Sequence, residues 1–339
     1  MSHAFICMLH TTMAITLANA NGFSVSTFST GASVTDIKLP NGTHVVLGYK
    51  DLEDYSVNSL YIGCTVGRCT NRTANAAFTI GGVEYPISAN VAPNHLHGGF
   101  VGFNKLTWRV TAQSETSVTY SLLSPDSDQG YPGNLSVTAT YTVTPNNELI
   151  IEYRASTDKP TPVNLTNHTY FNLAGQGDIL GHTLTLNADN YTPTDDNLVP
   201  TGDLASVRGT PLDFLSSHTI GERYQQASDV GYDNNFCINA TPTLESDPNL
   251  KYTAKLEEPT TGNCLEVYTN QPCVQLYQGG YLDGSVNGLD GSPILKYTGL
   301  CLETQKHPNA INQPRFPSTL LCPGQEYYSK TVWRFTCTR

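Results

Sequence analysis

Apolar and polar residues alternate with a period of two along much of the chain, which is typical of β-strands that bury one face. The clearest example spans residues 136–144, where the positions between apolar residues carry serine or threonine. The apolar members are Val137, Ala139, Tyr141 and Val143. A turn sequence at residues 145–147 and a second apolar stretch at residues 149–155 follow directly, so we predict an antiparallel hairpin.

The same alternation predicts many more short strands and little helix. Seven candidate strands lie at residues 107–112, 118–123, 182–186, 252–257, 264–269, 274–277 and 327–335. Two more are expected around the Asn21-Gly22 turn, between Ile15 and Val34. No stretch of ten or more residues keeps a helical period, because 20 prolines and 28 glycines interrupt the chain. The best short helix candidate is residues 52–59.

Many closely spaced strands without alternating helices favour stacked antiparallel sheets over a parallel βαβ sheet. The chain has no Pro/Ser-rich linker, charge cluster or internal repeat that would mark a domain boundary. We therefore predict an all-β fold, a large antiparallel β-sandwich with very little helix. A single domain is expected to span residues 1–339.

The amino-acid composition argues against some kinds of binding partner and favours others. Lysine and arginine number 18 against 29 aspartate and glutamate residues, and the resulting net charge of -11 would repel phosphate backbones and anionic lipid headgroups. Nucleic acid and membrane surfaces are therefore not expected as partners. Only 14% of the residues are charged, while threonine, serine, asparagine, glycine and tyrosine are abundant. This mixture suits a neutral polar small molecule such as a sugar.

The cysteines and the N-terminus indicate a cellular compartment. Nine cysteines, an odd number without a C-x-x-C spacing, are predicted to be reduced thiols packed as small core residues rather than redox or metal ligands. Residues 4–17 are fairly apolar and Ala18-Asn19-Ala20 imitates a signal-peptide cleavage site, but no lysine or arginine precedes them. No apolar stretch reaches the roughly 18 residues that a membrane-spanning helix needs. We predict a cytoplasmic protein.

Two segments place a titratable side chain in apolar surroundings. Glu303 follows Leu300, Cys301 and Leu302, and burial there would favour its neutral form and make it a better base. His168 lies in the segment 164–173 and belongs to the residue type that titrates near neutral pH. A positioned acid and base, each worth about 10²–10⁴-fold in rate, suffice to open a sugar ring without a metal or nucleotide.

Structural roles compete with these chemical ones. A lone histidine such as His168 is more often bonded to a backbone carbonyl, and Glu303 could form a buried ion pair with Arg72 or Lys306. Asp233 lies in a Gly-Tyr-Asp-Asn-Asn sequence that is good turn chemistry, so it could serve an Asx turn. The distances between these groups decide between the alternatives.

Several other residues could also have either a structural or a chemical role. His95 and His97 would share one face of a strand and could form a metal pair, but a third ligand is not evident nearby, so no metal site is predicted. Arg68 is expected to be a structural ion-pair partner. Tyr170 and Tyr277 could be core aromatics or could pack against a bound ring.

Eight short motifs, in this order, resemble the aldose 1-epimerases, the galactose mutarotase family. They are Asn71-Arg72, Leu96-His97-Gly98-Gly99, Gly130-Tyr131-Pro132-Gly133, residues 164–173, Pro200-Thr201-Gly202, Gly231-Tyr232-Asp233, Asn270-Gln271-Pro272 and Leu302-Glu303-Thr304-Gln305. The resemblance covers nearly the whole chain, from about Ile15 to Phe335. It implies a galactose mutarotase-like β-sandwich that interconverts the α and β anomers of free hexoses without a cofactor.

The resemblance also implies roles for individual residues. Glu303 would remove the proton from the anomeric hydroxyl, His168 would protonate the ring oxygen, and His97 would be an auxiliary donor near that oxygen. Four residues would hold the sugar hydroxyls: Asn71, Arg72, Asp233 and Gln271.

Two other functions remain open at this point. The first is a non-catalytic sugar-binding protein of the same fold, against which the presence of both His168 and Glu303 speaks. The second is a glycoside hydrolase that uses Asp233 and Glu303 as its carboxylate pair. Galactose and glucose both fit as substrates, because discrimination at one hydroxyl depends on angstrom-level placement.

Overall fold

The computed structural model describes residues 13–337, and the fold is 45% strand and 7% helix. In chain order, the strands are β1 Ala14–Ala18, β2 Ser24–Phe28, β3 Ser33–Lys38, β4 Thr65–Val66, β5 Arg72–Thr73, β6 Ala77–Ile80, β7 Val83–Pro86, β8 His95–Leu96, β9 Arg109–Gln113, β10 Ser117–Ser124, β11 Leu135–Val143, β12 Glu148–Thr157, β13 Thr161–Pro162, β14 Thr166–Asn167, β15 Tyr170–Phe171, β16 Thr183–Leu186, β17 Asn190–Tyr191, β18 Ala205–Ser206, β19 His218–Thr219, β20 Asp233–Cys237, β21 Thr243–Leu244, β22 Asp247–Glu258, β23 Asn263–Thr269, β24 Cys273–Tyr277, β25 Asp283–Asn287, β26 Pro293–Leu295, β27 Leu300–Gln305, β28 Leu320–Leu321 and β29 Tyr327–Thr336.

The helices are short. One turn of α-helix, α1, spans Tyr224–Ala227. The 3₁₀ turns are Leu52–Ser56, Ala74–Ala76, Phe103–Lys105, Asp128–Gly130, Ile220–Glu222 and Ala310–Asn312. The first of these falls inside the predicted helix candidate, so the expectation of very little helix is confirmed. Within residues 13–337, no helix is long and apolar enough to cross a membrane.

The strands pair antiparallel in two large sheets and several small ones. The ten-stranded sheet has the order β19-β16-β22-β23-β29-β12-β11-β10-β9, with β21 beside β22. The six-stranded sheet has the order β15-β27-β24-β20-β17-β18. The smaller sheets are β1-β2-β3, β13-β28, β14-β4, β25-β26, β5-β8 and β6-β7. The predicted all-β class with large antiparallel sheets is confirmed.

The predicted hairpin forms from β11 and β12, and its alternation explains why. Along β11, the apolar positions are buried and the residues between them are partly or fully exposed. The register pairs Tyr141 with Ile151, so both strands turn their apolar side chains to one face. The strands predicted around the Asn21-Gly22 turn are β1 and β2, whereas Val34 already belongs to β3. Residues 4–12 of the apolar N-terminal segment lie outside the described residues.

The main core lies between the two large sheets. The ring of Phe171, from β15 in the six-stranded sheet, meets the ring of Trp333, from β29 in the ten-stranded sheet, edge to face at 4.8 Å. The hydroxyls of Thr304 and Thr331 are hydrogen-bonded across the same gap at 2.6 Å. Leu302 and Leu276 belong to one buried cluster with residues of β23 and β29. The six-stranded sheet therefore turns one face to the other sheet, and its opposite face is free to carry a site.

Arg68 braces the loops at the edge of this core. Its side chain is buried, and its guanidinium donates to the carbonyls of Ser124, Pro125 and Pro132 and to the hydroxyls of Ser124 and Thr161. The expected structural role is present, but carbonyl and hydroxyl oxygens replace the expected ion pair. The eight cysteines among the described residues are free thiols, as predicted, and five of them are buried.

Candidate active site

Three neighbouring strands of the six-stranded sheet carry polar residues on the face turned away from the core. The odd-numbered residues of β20, β24 and β27 share this face, because side chains alternate along a strand. Register aligns them in three rows across the strands. The rows are Asp233, Tyr277 and Cys301, then Asn235, Gln275 and Glu303, and finally Cys237, Cys273 and Gln305.

Loops from the N-terminal half cover this face and supply histidines. β14 pairs with β4 and leads directly into His168, while β5 pairs with β8 and sets Arg72 opposite Leu96. His97 has a positive φ of 49°, which ends β8 and turns its side chain inward. The next residue, Gly98, has φ 87°, and a Cβ there would lie 1.8 Å from the carbonyl oxygen of Gly67. Only glycine permits this close approach of two backbones.

The covered face forms a cavity of about 220 Å³. Its lining consists of Ser59, Leu60, Tyr61, Asn71, Arg72, Leu96, His97, His168, Tyr170, Asp233, Tyr277, Tyr281 and Glu303. A larger but shallower depression of about 730 Å³ lies on the ten-stranded sheet near Arg109 and Arg154, and no histidine of residues 13–337 lines it. The smaller cavity combines aromatic walls with acid and base groups, which is the usual character of a small-molecule site.

Glu303 is a buried carboxylate without a compensating cation. Its Oε1 lies 3.6 Å from Nε2 of His168, and its Oε2 has no hydrogen-bond partner among the described residues. Burial, and secondarily the charge of Asp233, raises the pKa of Glu303 well above its ordinary value. The alternative ion pair with Lys306 does not form, because that ammonium donates to the carbonyl of Ser318. A buried acceptor left unpaired in this way points to a ligand.

His168 is held beside this carboxylate by burial and by its backbone. Its N–H donates to the carbonyl of Cys64 at 2.9 Å, and its Nδ1 lies 3.4 Å from Sγ of Cys301. Burial lowers the pKa of His168 to about 4. The ring is therefore neutral at neutral pH in the free protein, with Nε2 facing Glu303.

His97 completes the titratable group and has a defined tautomer. Its Nδ1 accepts a hydrogen bond from the backbone N–H of Asn71 at 3.1 Å. Burial, followed by the charges of His168 and Arg72, lowers the pKa of His97 well below its ordinary value. A neutral ring whose Nδ1 accepts must carry its proton on Nε2, so His97 offers a donor to the cavity.

The metal pair considered for His95 and His97 does not form. The ring of His95 uses Nδ1 with the carbonyl of Ser88 at 2.7 Å and Nε2 with the hydroxyl of Tyr131 at 2.8 Å, outside the cavity. The nearby ligand atoms are instead those of His97, His168 and Glu303, which lie within 4.8 Å of one another.

Three of the four predicted hydroxyl contacts line the cavity: Asn71, Arg72 and Asp233. Burial raises the pKa of Asp233, and the charge of Arg72 opposes this shift. The Arg72 guanidinium has neither an ion-pair nor a hydrogen-bond partner in the described part of the chain. A planar cationic fork beside a carboxylate is suited to hold neighbouring hydroxyl groups.

Gln271 is the one predicted hydroxyl contact that the structure places away from the cavity. It does not line the cavity, and its Nε2 donates to Oδ1 of Asn270 at 2.9 Å. Four residues further along, Gln275 donates from Nε2 to Oδ1 of Asp233 at 2.7 Å and aligns with Glu303. Gln275 is also absent from the cavity lining, but it borders a small adjoining pocket together with Asn71, Arg72 and Asp233. Gln271 precedes β24, which begins at Cys273, so it does not lie on the strand that carries Gln275. The Asn270-Gln271-Pro272 motif lies in the turn before β24. Which glutamine stands beside Glu303 is set by the pairing of β24 with β27, and that residue is Gln275.

Sequence reasoning also missed part of the aromatic wall. Tyr170 and Tyr277 line the cavity and also belong to a buried core cluster, so each one contributes to both, and Tyr61 and Tyr281 join them in the lining. The rings of Tyr61 and Tyr170 lie 5.8 and 5.1 Å from that of His168. Tyr61 has a positive φ of 58° in a loop, so no strand or helix pattern marks it. The half-exposed Tyr281 stands at the rim.

Comparisons with known proteins place the chain in a family. The aldose 1-epimerase family model matches residues 13–334. The galactose mutarotase of Mus musculus is 45% identical over 320 residues, covering 92% of this chain and 91% of that protein. The aldose 1-epimerase of Escherichia coli K12 is 36% identical over 332 residues, covering 95% and 94% of the two chains. A solved structure of a GalM/aldose epimerase homologue from C. elegans superposes with a TM-score of 0.88 at 30% identity, covering 97% of this chain and all of that one.

An all-β scaffold with a buried carboxylate, two neutral histidines and aromatic walls thus coincides with a family match over nearly the full chain. The chain belongs to the aldose 1-epimerase family, whose members are isomerases.

Proposed function

We propose that this protein is an aldose 1-epimerase that interconverts the α and β anomers of a free aldohexose, galactose or glucose, by acid-base opening and reclosure of the ring. The observation that carries the proposal is the unpaired carboxylate of Glu303, buried at the cavity floor 3.6 Å from Nε2 of His168. Homologues called galactose mutarotase and aldose 1-epimerase support it.

Glu303 is the base and His168 the acid in this proposal. Glu303 takes the proton of the anomeric hydroxyl while His168 gives one to the ring oxygen, and the C1–O5 bond breaks. The open aldehyde turns about C1–C2 and recloses from its other face, with the two groups returning their protons. His97, whose Nε2–H is fixed by the backbone of Asn71, donates a hydrogen bond to the ring oxygen.

The reaction requires one proton to be shared by the pair. Burial disfavours a charge on either group, since it lowers the pKa of His168 and raises that of Glu303. The free pair therefore holds one proton, which rests on Glu303, and in the proposed reaction this proton passes to Nε2 of His168 as the sugar binds, so that Glu303 is left as the base and His168 becomes the acid.

Four side chains hold the sugar hydroxyls in the proposed complex: Asn71, Arg72, Asp233 and Gln275. Gln275 takes the place first given to Gln271, because its side chain fixes the Asp233 carboxylate and borders a pocket shared with Asn71 and Arg72. The tyrosine walls pack against the C–H faces of the pyranose.

The proposal extends to the whole chain and its setting. We treat residues 1–339 as one domain of the mutarotase-like sandwich type, which the family match from residue 13 to 334 supports. Acid-base catalysis of this kind uses no cofactor. We place the enzyme in the cytoplasm, where the free thiols of the described cysteines would stay reduced.

Polarimetry with freshly dissolved α-D-galactose or α-D-glucose tests the proposal. The wild-type protein should speed the relaxation of optical rotation well above the buffer rate. Glu303→Gln should lower turnover by about 10²–10⁴-fold, because an amide keeps the shape of the carboxyl but cannot take a proton. Sugar affinity, measured by calorimetry, should stay within a few-fold of wild type.

Other outcomes would select another function. Tight sugar binding with relaxation no faster than the buffer blank would make the protein a non-catalytic binder. Release of aryl alcohol from an aryl galactoside would favour a hydrolase using Asp233 and Glu303. These two carboxylates rise from the same face of one sheet, whereas a hydrolase sets them on either side of the scissile bond. A Glu303→Gln variant with near-normal turnover would reassign the base.

A further inference from the structure

A second cluster of reactive side chains lies on the same sheet face as the proposed active site. Cys237, Cys273 and His307 each place one ligand atom within 4.8 Å of the others. None of the three lines the 220 Å³ cavity, and none has a role in the proposed reaction.

Strand register explains how these three residues meet. Cys237 and Cys273 face each other directly in the β20–β24 pair, where side chains of opposed residues are in contact. Gln305 pairs with Cys273 from the other side, and His307 lies two residues beyond it, on the same side of the chain. The cluster is thus built by β20, β24 and the segment that follows β27, next to the row that carries Glu303.

The distances suit a metal ion. Sγ of Cys237 lies 3.6 Å from Nε2 of His307. Zinc bonds of about 2.3 Å to sulfur and 2.0–2.1 Å to nitrogen, at the tetrahedral angle, separate the two ligand atoms by about 3.5–3.6 Å. Cys237 and His307 therefore already stand at the spacing that a shared tetrahedral ion requires, and the ligand atom of Cys273 lies within 4.8 Å of both.

The surroundings favour binding as well. His307 is buried and stacked on Phe316 at 4.4 Å, which fixes its ring, and its Nδ1 has no partner among the described residues. Cys237 is only half-buried, which leaves an ion a way in.

We propose that Cys237, Cys273 and His307 form a binding site for a thiophilic divalent metal ion of the zinc class. Two thiolates and one imidazole match the donor preference of Zn²⁺ and leave a fourth position for water. Binding displaces the remaining thiol protons to solvent, and no oxidant or reductant is needed. The site differs from the ligand group of His97, His168 and Glu303, and it does not depend on the proposed enzymatic function.

Metal titration of the reduced, chelator-treated full-length protein tests the proposal. Equilibrium dialysis with Zn²⁺ should give a tight site that Cys237→Ser and His307→Gln each weaken at least 10-fold. Cd²⁺ should produce a thiolate-to-metal charge-transfer band in the ultraviolet that both Cys237→Ser and Cys273→Ser remove. Cys322→Ser is the matched thiol control and should retain both signals. Glu303→Gln alters the other group of possible ligands, His97, His168 and Glu303, and should also retain both the Zn²⁺ binding and the Cd²⁺ band.

Three results would overturn the site: no Zn²⁺ bound at micromolar concentration, binding that survives Cys237→Ser, or binding lost in Glu303→Gln but kept in the cysteine variants. Peptide mass spectrometry showing a Cys237–Cys273 disulfide that mild reduction does not open would also overturn it. Circular dichroism of each variant guards against misfolding. His307→Gln, which keeps both thiols and the strand pair, supplies the second variant if a serine variant does not fold.

Discussion

The unpaired guanidinium of Arg72 gives the clearest test of binding at the level of single residues. Arg72→Ala should raise the Michaelis constant for galactose about 10-fold or more, because hydrogen bonds from a charged group are worth about 1.5–3 kcal/mol. Turnover should change less, since Arg72 moves no proton. Arg315→Ala, which removes an exposed arginine paired with Asp203, is the control and should behave as wild type. An unchanged Michaelis constant in Arg72→Ala would remove Arg72 from the binding set.

The His168–Glu303 pair should also give the pH profile of kcat/KM an unusual acid limb. Below a pH of about 4, His168 takes a second proton while Glu303 is already neutral, so no base remains and activity falls. On the alkaline side, activity is lost only when pH passes the raised pKa of Glu303, because the pair then has no proton to donate.

Polarimetric rates from pH 3 to pH 9, each corrected for the buffer rate at that pH, measure this profile. An acid limb centred near 6.5, the ordinary value for a histidine, would mean that burial does not control the pair.

At the level of elements, the pairing of β24 with β27 selects which glutamine reaches the sugar. Gln275→Ala should raise the Michaelis constant about 5- to 10-fold, because it frees the Asp233 carboxylate and removes one hydrogen-bonding group. Gln271→Ala, four residues away, should leave it within twofold. Steady-state polarimetry on the two purified variants compares them directly, and the reverse order of effects would restore Gln271 to the site.

The same pairing explains which parts of the fold and of the candidate site could be predicted from the sequence. The alternation of apolar and polar residues predicts β11, β12, β24 and β29, because a half-buried strand has apolar residues on one face and polar residues on the other. Glu303 and His168 were recognisable from their chemistry in apolar surroundings. Which residue of β24 lies beside Glu303 depends on the register between two distant segments, and a local sequence pattern does not show that register. Tyr61 lies in a loop with a positive φ, so no strand or helix pattern marks it either.

At the level of the whole molecule, Trp333 joins the two large sheets. Trp333→Ala should lower the free energy of unfolding by about 3–5 kcal/mol, the usual cost of deleting a buried aromatic side chain. Trp333→Phe should cost less, because it keeps a ring against Phe171 and removes an indole N–H that has no partner among the described residues. Urea unfolding followed by circular dichroism measures both variants. An alanine variant within 1 kcal/mol of wild type would mean that the sheets do not depend on this contact.

The site residues of β20, β24 and β27 all occupy every second position of their strands, and this limits which insertions and deletions the strands can accept. Because the reactive side chains of β20, β24 and β27 alternate with core side chains, inserting or deleting one residue within any of these strands would exchange the two sets. In β27, such a slip would bury the carboxylate of Glu303 between the sheets and present Leu302 or Thr304 to the sugar. Lineages that change substrate preference are therefore free to vary the length of the covering loops, whereas the length of these three strands is fixed by the chemistry.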